Sequence, residues 1–450
     1  MKMEGKSMDK EILQFLDAQG HSAVKMLLDS MNVVDIAEEL ESQDSQQVLK
    51  IFRMLSKDAA SDVFAYLTPE LQQLIIEGIT DKEINRIIDD LFLDDAVDFI
   101  EEMPASVVKR VLKNAPHDKR EMINHFLQYP EDSVGSVMTI EYIELKIDST
   151  VADAFSHIRE TGMNKETVYT CYVIDPNRKL VGMVSILTLL LAEQNQKIEE
   201  IMDQNIISAK TKEDRETLMI SFRKYDLLAM PVTDNEDRLV GIVTVDDIIE
   251  VQKEENTEDF ELMAAMSPSE EPYLKTSVLK LTKNRVVWLL ILMLSATLTG
   301  YIISDFEDGF AVFPALVAFI PMLMNTGGNA GSQSSTLIIR GMALEEISLS
   351  NAGAVLWKEL RVAVLCGAAL VCVNFIRIMI EHRDFYLAST VSLSLYATVL
   401  MAKSIGCLLP MVAKKLNFDP ALMSSPVITT LVDATSLIVY FNIAKVILKI

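Results

Sequence analysis

Long apolar stretches are confined to the last third of the chain, where short charged loops separate them. A helix needs about 20 residues to cross the apolar core of a bilayer. Before residue 285 the apolar positions instead recur at the short periods of amphipathic helices and half-buried strands. The pattern therefore predicts a soluble half followed by a membrane half with five spans, at residues 286–304, 310–339, 353–380, 386–412 and 421–448.

The second predicted span changes character halfway along its length. It is apolar up to Met324 and then becomes polar without carrying a charge. Polar backbone outside regular structure survives at membrane depth only inside protein or beside water. We therefore expect residues 325–336 to have an irregular backbone and to line a permeation path. The predicted lining residues are Asn325, Gly328, Asn329, Gly331 and Gln333.

One carboxylate, Asp433, lies deep inside a predicted span. An ionisable group at this depth is costly and normally faces a cavity or a partner. Thr429, Asp433 and Ser436 recur at helical spacing and form a polar stripe that we expect to line the pore. The alternative is that Lys403 neutralises Asp433 inside the bundle. Two copies of Asp433 in a two-fold symmetric homodimer would suit Mg²⁺, which is usually held by one or two carboxylates and several waters.

The charge of the chain is distributed as unevenly as its apolar residues. The formal net charge is −24, and residues 286–450 contain 10 acidic and 10 basic residues, so the excess belongs to residues 1–285. Such a surface repels nucleic acid and attracts cations, although it is also compatible with a merely soluble acidic domain. Basic residues flank the spans on the side of the soluble half, which predicts a cytoplasmic N-terminus and a C-terminus outside the cell.

Residues 30–125 repeat short amphipathic helices, a pattern typical of stacked helical hairpins. The repeats place several aspartates near predicted helix starts. Aspartate is favoured there as a cap or opposite the helix dipole. Capping is the expected role of any one of these residues, which are Asp62, Asp94, Asp95 and Asp98.

Residues 137–253 contain two unequal copies of one pattern of strands, helix and turn. In each copy an aspartate-containing turn joins two apolar strands. Together the copies resemble a tandem pair of CBS domains, an α/β fold that commonly binds adenine nucleotides. The second copy offers Gly241, Thr244 and Asp247 to a nucleotide such as ATP, whereas the first copy lacks the matching aspartate.

An acidic helix is predicted to join the second copy to the first span. Glu250, Glu254, Glu258 and Glu261 recur at spacings of three and four residues and therefore share one helix face. Like charges on one face repel each other. This face is expected either to bind a cation or to be an ordinary solvated surface.

These parts together resemble the MgtE-type magnesium transporters over essentially the whole chain. Two specific runs carry the resemblance, TGGNAGSQS from Thr326 to Ser334 and DPALMSSPVITTLVD ending at Asp433. The resemblance implies a homodimeric, magnesium-selective channel of the cell membrane that closes when cytoplasmic Mg²⁺ binds the soluble domains. The implied domains are an all-α superhelical N domain at 1–130, an α/β tandem CBS pair at 131–253, a connecting helix at 254–284 and a five-helix α transmembrane domain at 285–450.

The resemblance also implies roles for single residues. It makes Asp433 the pore ligand and distributes magnesium-sensing carboxylates over the soluble parts. Glu250 stands where some members have aspartate, which preserves the charge and changes its reach, and Ser436 stands where some have glycine. The implied sensor residues are Asp62, Asp94, Asp98, Asp214, Glu216, Asp226, Asp247, Glu250, Glu255, Glu258 and Asp259.

Two other functions compete with this interpretation. In the first, the chain transports another divalent cation and the CBS pair is primarily a nucleotide receptor. In the second, the chain is an enzyme, which is the weaker alternative because the sequence contains no Ser/His/Asp set, P-loop or zinc-ligand cluster. The four cysteines show no CxxC spacing, so no disulfide or zinc site is predicted.

Overall fold

The chain divides into two units between Val251 and Gln252, inside a single helix. The structure, a computed structural model, describes residues 21–269, 273–274, 276–423 and 425–449.

Short helices fill the first unit from residue 21 to residue 126. Polar caps set several helix starts: the Asp44 side chain accepts hydrogen bonds from two backbone N–H groups, and Thr80 forms a capping box with Glu83. Apolar residues of successive helices share one core, which confirms the predicted stack. Over this described range the helices are α1 (His21–Leu28), α2 (Val33–Glu41), α3 (Ser45–Phe52), α4 (Lys57–Ala65), α5 (Pro69–Gly78), α6 (Asp81–Asp90), α7 (Leu93–Glu101), α8 (Ala105–Asn114) and α9 (His117–Phe126).

Two aspartates that were expected to cap helices do not cap them. Asp62 lies in the middle of α4, whose cap is Ser56, and Asp98 lies in the middle of α7. Asp94 is in the first turn of α7, where its Oδ1 accepts a hydrogen bond from the backbone N–H of Asp95 at 3.0 Å. The expectation for Asp62 and Asp98 was wrong because these helices begin several residues earlier than the repeat pattern suggested.

Two three-stranded sheets follow, and both have the same topology. In each sheet the first two strands are parallel and the last two are antiparallel. An aspartate closes each hairpin turn: Asp175 accepts from the N–H of Asn177, and Asp234 accepts from the N–H of Glu236. The matching topology confirms the predicted tandem repeat. Its elements are β1 (Ile143–Lys146), α10 (Val151–Thr161), β2 (Thr170–Ile174), β3 (Leu180–Ser185), α11 (Ile186–Leu191), α12 (Ile198–Ile201), β4 (Ala209–Lys210), α13 (Glu216–Tyr225), β5 (Ala229–Thr233) and β6 (Leu239–Thr244).

The acidic segment after the repeats begins as part of them. Helix α14 spans Val245–Met263, so it starts directly at the end of β6 and continues into the second unit. The connecting helix was expected at residues 254–284. Within the described part of that range the helix ends at Met263, and the next one starts at Val278.

Long helices dominate the second unit. Among the described residues, four segments are long and apolar enough to cross a membrane: Val278–Ser304, Leu349–His382, Phe385–Lys415 and Pro420–Leu448. The 24-residue helix Ile320–Ala343, which corresponds to the second predicted span, contains many polar side chains and falls outside this group. That this helix also crosses the membrane stays a prediction. The helices are α15 (Val278–Ser304), α16 (Glu307–Val312), α17 (Ile320–Ala343), α18 (Ala352–His382), α19 (Phe385–Lys415) and α20 (Ser425–Leu448).

The polar run of the second predicted span is a regular part of α17. Its glycines lie where neighbouring helices approach: a Cβ atom on Gly331 would be 2.7 Å from Cγ2 of Ile428. The expected irregular backbone was wrong, because a helix satisfies its backbone hydrogen bonds internally at any depth. Small residues on such a helix allow close packing instead.

Candidate functional site

An open cavity of about 390 Å³ lies between α17 and α20. Amide and hydroxyl groups surround a single carboxylate there, and the Asn329 side-chain amide donates to Oδ1 of Asn325 at 3.2 Å. Oxygen ligands of this kind suit a hard cation such as Mg²⁺. The wall residues are Pro321, Met324, Asn325, Gly328, Asn329, Thr429 and Asp433.

Lys403 does not neutralise Asp433, the carboxylate of this cavity. Nζ of Lys403 lies 3.9 Å from Oε2 of Glu359 and donates a hydrogen bond to the Ser334 hydroxyl at 3.2 Å. The proposed pairing of Lys403 with Asp433 was therefore wrong. Sequence reasoning missed Glu359 because it sits beside Lys358 near the start of a predicted span, where charges normally mark the membrane edge.

Three of the predicted pore residues lie outside the cavity. Ser436 is fully buried, and a Cβ atom on Gly327 would be 3.1 Å from its hydroxyl. Gly331 packs against Ile428, and Gln333 is exposed on α17. The polar stripe of α20 and the polar run of α17 therefore reach the cavity with only part of their length.

An exposed polar stripe follows one side of α17. Asn325, Asn329, Gln333 and Thr336 are exposed and recur at spacings of three and four residues. Polar side chains in a membrane-spanning helix usually face protein or water rather than lipid. As part of the predicted span, the stripe would require a water-filled space or a second polar surface.

Seven carboxylates of the first unit surround the start of α7, and we call them the acidic cluster. They come from α7, from the loop before β2 and from the start of α14, which are distant in sequence. The nearby Lys119 ammonium lies 3.7 Å from Oε1 of Glu141. The members are Asp94, Asp95, Asp98, Glu166, Asp246, Asp247 and Glu250.

Burial and mutual repulsion raise the pKa values inside this cluster. Burial, followed by repulsion from Asp247, holds the pKa of Asp94 well above its ordinary value. The same two causes raise the pKa of Asp95 to about 6 and the pKa of Glu166 to about 7. Burial also raises the pKa of Asp247 to about 6. The cluster therefore holds more negative charge than its own surroundings compensate.

Asp98 occupies the solvent-exposed edge of the acidic cluster. The surrounding protein, and then repulsion by Asp95, raise the pKa of Asp98 to about 8. Water screens a charge at such an edge, so buried Asp94 is the stronger sign of uncompensated charge. Among the described residues no three carboxylate, imidazole or thiol side chains are placed to hold an ion directly.

The remaining predicted sensor residues of the first unit lie elsewhere. Asp62 is exposed on α4. Asp214 precedes α13, where its Oδ1 accepts from the N–H of Glu216 at 2.9 Å. Asp226 ends the same helix in a left-handed conformation with φ 50°. Asp214, Glu216 and Asp226 therefore lie at the two ends of α13.

The second-unit part of α14 carries its own carboxylates. Glu255, Glu258 and Asp259 lie on this helix. Burial, then repulsion by Asp419 and Glu255, raises the pKa of Asp259 to about 6. Asp419 was not among the predicted site residues, because it lies 160 positions along the chain from Asp259 and its approach is a tertiary contact.

The residues expected to bind a nucleotide make hydrogen bonds and packing contacts within the protein. The hydroxyl and backbone N–H of Thr244 both donate to Oδ2 of Asp247, at 2.6 and 3.0 Å. A Cβ atom on Gly241 would lie 2.9 Å from the carbonyl oxygen of Thr139. The neighbouring acidic cluster would also repel phosphates. A nucleotide at this position would have to replace the Thr244–Asp247 hydrogen bonds beside the negative charge of the acidic cluster.

The fold and these sites define a membrane transport protein whose soluble half combines a helical repeat with a CBS pair. Residues 320–443 match the family described as divalent cation transporter, residues 31–132 match the MgtE intracellular N domain, and residues 134–195 and 198–254 match CBS domains. The chain belongs to the MgtE family of divalent cation transporters.

Curated relatives extend over almost the whole chain. The magnesium transporter MgtE of Thermus thermophilus is 32% identical over 98% of both chains. The magnesium transporter MgtE of Bacillus subtilis is 30% identical over 93% of both chains. The family is a class of transporters and not of enzymes.

Two solved structures resemble the soluble half. The soluble part of a magnesium transporter has a TM-score of 0.52 and 26% identity, covering 55% of this chain and 97% of the other. The cytosolic domain of the Mg²⁺ channel MgtE in complex with ATP also has a TM-score of 0.52, with 27% identity over 54% of this chain and 100% of the other. The predicted superhelical N domain and CBS pair are thereby confirmed.

Proposed function

We propose that this protein takes Mg²⁺ into the cell as a magnesium-selective channel. The observation that carries the proposal is Asp433, a half-buried carboxylate in a membrane-unit cavity otherwise walled by amide, hydroxyl and apolar groups. The curated relatives named above, together with that of Enterococcus faecalis at 33% identity over 73% of this chain, are named magnesium transporters. The basic flanks of the spans support a cytoplasmic soluble half and a C-terminus outside.

The cavity suits an ion that keeps its water. Mg²⁺ gives up water reluctantly and is usually bound through one or two carboxylates. Asp433 supplies the charge, and the side-chain oxygens of Asn325, Asn329 and Thr429 accept hydrogen bonds from the water around the ion. A filter of closely spaced carbonyls would suit K⁺ better.

We propose that the working form is a homodimer. The exposed stripe at Asn325, Asn329, Gln333 and Thr336 is polar along a helix of the membrane unit. A second copy related by a two-fold axis would enclose this stripe and set two Asp433 carboxylates around one path. The bilayer would then meet only the apolar faces of the remaining helices.

Flux through purified protein tests the proposed function. The full chain is reconstituted in liposomes that contain a Mg²⁺-sensitive dye, and Mg²⁺ is added outside. We expect uptake well above that of protein-free liposomes, with little competition from an equal concentration of Ca²⁺. Uptake no faster than in protein-free liposomes would contradict transport, and equal flux of both ions would contradict selectivity.

Gly328→Leu is expected to block Mg²⁺ flux in a protein that still folds. Gly328 lines the cavity, and its Cβ position is 2.8 Å from Cγ2 of Thr429, so a leucine side chain must fill the cavity or displace α20. The matched control is Gly300→Leu, because a Cβ atom there would meet nothing within 4 Å. Comparable flux in both variants would show that the cavity is not on the ion path.

Regulation is proposed to follow from the acidic cluster. Its three contributing segments repel one another without an ion, as the raised pKa values of Asp94, Asp95 and Glu166 indicate. Mg²⁺ would favour the charged carboxylates and draw α7 and α14 together. Driving a switch from mostly open to mostly closed takes about 5 kcal/mol of differential affinity, so several sites must act together.

Asp95→Asn combined with Asp247→Asn is expected to raise the cytoplasmic Mg²⁺ concentration that closes the channel by about tenfold, or about 1.4 kcal/mol. Asparagine keeps an oxygen that can accept the Thr244 hydrogen bonds, so the start of α14 is preserved. Patch recordings with Mg²⁺ titrated on the cytoplasmic face measure the effect. Asp35→Asn, on the exposed surface of α2, is the control. An unchanged closing concentration would remove the cluster from the gate.

A nucleotide is the second candidate regulator, since the cytosolic domain of one solved relative holds ATP. In this chain the pairing of Thr244 with Asp247 and the surrounding negative charge favour Mg²⁺ instead. Closure by Mg²⁺ in the complete absence of nucleotide distinguishes the two candidates.

A further inference from the structure

Three polar side chains meet inside the membrane unit, away from the Asp433 cavity. The Ser334 hydroxyl of α17 donates a hydrogen bond to Oε2 of Glu359 on α18 at 2.7 Å. Nζ of Lys403 on α19 donates to the same hydroxyl at 3.2 Å and lies 3.9 Å from the Glu359 carboxylate. The side chains of Lys403 and Glu359 are only 7% and 13% exposed, and Ser334 is fully buried. We call these residues the polar triad.

Buried apolar residues lie one and two helical turns away from Ser334 on α17 and from Lys403 on α19. The same helices contribute a buried cluster that consists of Ile338, Met342, Cys407 and Met411. A charge held in such surroundings is strongly disfavoured without its partner. Glu359 and Lys403 therefore depend on each other, and Ser334 ties α17 to both.

The polar triad contacts α17 on the side opposite the cavity. Successive helical residues are rotated by about 100°, so Ser334 lies about 140° to 180° around the helix from Asn329 and Asn325 of the cavity wall. The three side chains therefore approach the face of α17 that is turned away from the cavity.

The other contacts of α17 near this position involve backbone and leave little tolerance. A Cβ atom on Gly406 would overlap the carbonyl oxygen of Gly331, so the backbones of α17 and α19 are in direct contact. The Ser335 hydroxyl donates to the carbonyl oxygen of Met423 at 2.9 Å. The close contact of Gly331 with Gly406 sets the distance between α17 and α19. The directional hydrogen bonds of Ser334 and Ser335 set the rotation of α17 and its position along its axis.

We propose that the Glu359–Lys403 ion pair, bridged by Ser334, is the device that positions the cavity face of α17 for ion passage. This inference rests on the proposed function. Glu359 and Lys403 act as positioning residues, because they contact the back of α17 and Asp433 carries the charge in the cavity. A small rotation of α17 would move Asn325 and Asn329 relative to Asp433 and change how a hydrated ion fits.

Single-channel recording of the full chain in planar bilayers tests the proposal. Glu359→Gln and Lys403→Met each leave one buried charge without its partner. In each variant we expect the unitary Mg²⁺ conductance to fall about tenfold and the Mg²⁺/Ca²⁺ permeability ratio to change. The double variant removes both charges with little change in volume, so its conductance should return to within about threefold of the parent.

Ser334→Ala keeps the proposal testable if the charge variants fold poorly. It removes only the bridging hydroxyl and leaves both charges in place, so we expect a smaller fall in the thermal midpoint than in the single charge variants and a conductance about threefold lower with an altered permeability ratio. Ser392→Ala is the matched control, since Ser392 is a buried serine of α19 whose hydroxyl has no hydrogen-bond partner among the described residues.

The measurements distinguish a role of the polar triad in positioning α17 from a role in stability alone, and both from a failure of the proposed function. If the amount of folded protein falls in the single variants while unitary conductance and permeability ratio stay at parental values, the polar triad only stabilises the bundle and the inference is overturned. If Ser334→Ala behaves like Ser392→Ala in both measurements, the inference is likewise overturned. A parent protein that conducts no Mg²⁺ would overturn the proposed function itself.

Discussion

Asp433→Asn is expected to reduce Mg²⁺ uptake at least a hundredfold, equivalent to about 2.7 kcal/mol. The substitution keeps the shape of the side chain and removes the charge that faces the cavity between α17 and α20. Neutral amides and hydroxyls cannot compensate the charge of a divalent ion in a membrane, so the ion should no longer leave bulk water. Dye-loaded liposomes measure the loss.

The control for this variant removes one carboxylate elsewhere. Glu346→Gln changes an exposed residue in the loop after α17 and should leave uptake unchanged. Because Lys403 is paired with Glu359, Asp433→Asn should not strand a buried cation, and the variant should remain folded. Parental uptake by a folded Asp433→Asn protein would refute the assignment of the ion path.

The second large expected effect is on the soluble half, where Mg²⁺ and acid should act in the same direction. Raised pKa values mean that the folded state binds more protons than the unfolded state between the two pKa values. For Glu166 this stabilisation is fully present below the ordinary value of 4.5 and is lost as the pH rises through about 7. Asp95 loses its contribution between 3.8 and about 6. At pH 8 without Mg²⁺ the carboxylates of Asp95, Glu166 and Asp247 are charged, so the acidic cluster is least stable there.

Hydrogen exchange of the full-length protein measures this prediction. After correction for the intrinsic pH dependence, amides of α7 should exchange about thirtyfold faster at pH 8 than at pH 5 in chelator, which corresponds to about 2 kcal/mol of local stability. Adding millimolar Mg²⁺ at pH 8, without nucleotide, should restore slow exchange.

Variants separate this effect from general acid sensitivity. Asp94→Asn removes the most deeply buried carboxyl group of the acidic cluster and should reduce both the pH effect and the Mg²⁺ effect. Asp35→Asn, on the exposed surface of α2, should retain both effects. The acidic cluster is no magnesium sensor if Mg²⁺ leaves the exchange rates of the parent protein unchanged. The same conclusion follows if the two variants respond identically to pH and to Mg²⁺.

The sequence alone determined the features that depend on local order along the chain. Apolar length predicted the membrane half, and a repeated order of strands, helix and aspartate turn predicted the CBS pair, whose two sheets have the same topology. The confinement of the net charge to residues 1–285 is likewise a property of composition. Periods of two and 3.6 residues are set by backbone geometry, so such features are visible before any tertiary contact is known.

Tertiary structure alone decided which distant side chains meet. In the folded chain Lys403 forms an ion pair with Glu359 and not with Asp433, and Glu166 of the CBS pair lies near Asp95 of the N domain. Tertiary structure also made the polar run of α17 a regular helix, because the glycines that weaken an isolated helix allow neighbouring helices to pack closely. Ion pairs and helix crossings of this kind join positions many residues apart, and no local pattern records them. The physical reason is that burial and charge depend on the neighbours of a residue in space, whereas periodicity depends only on its neighbours along the chain.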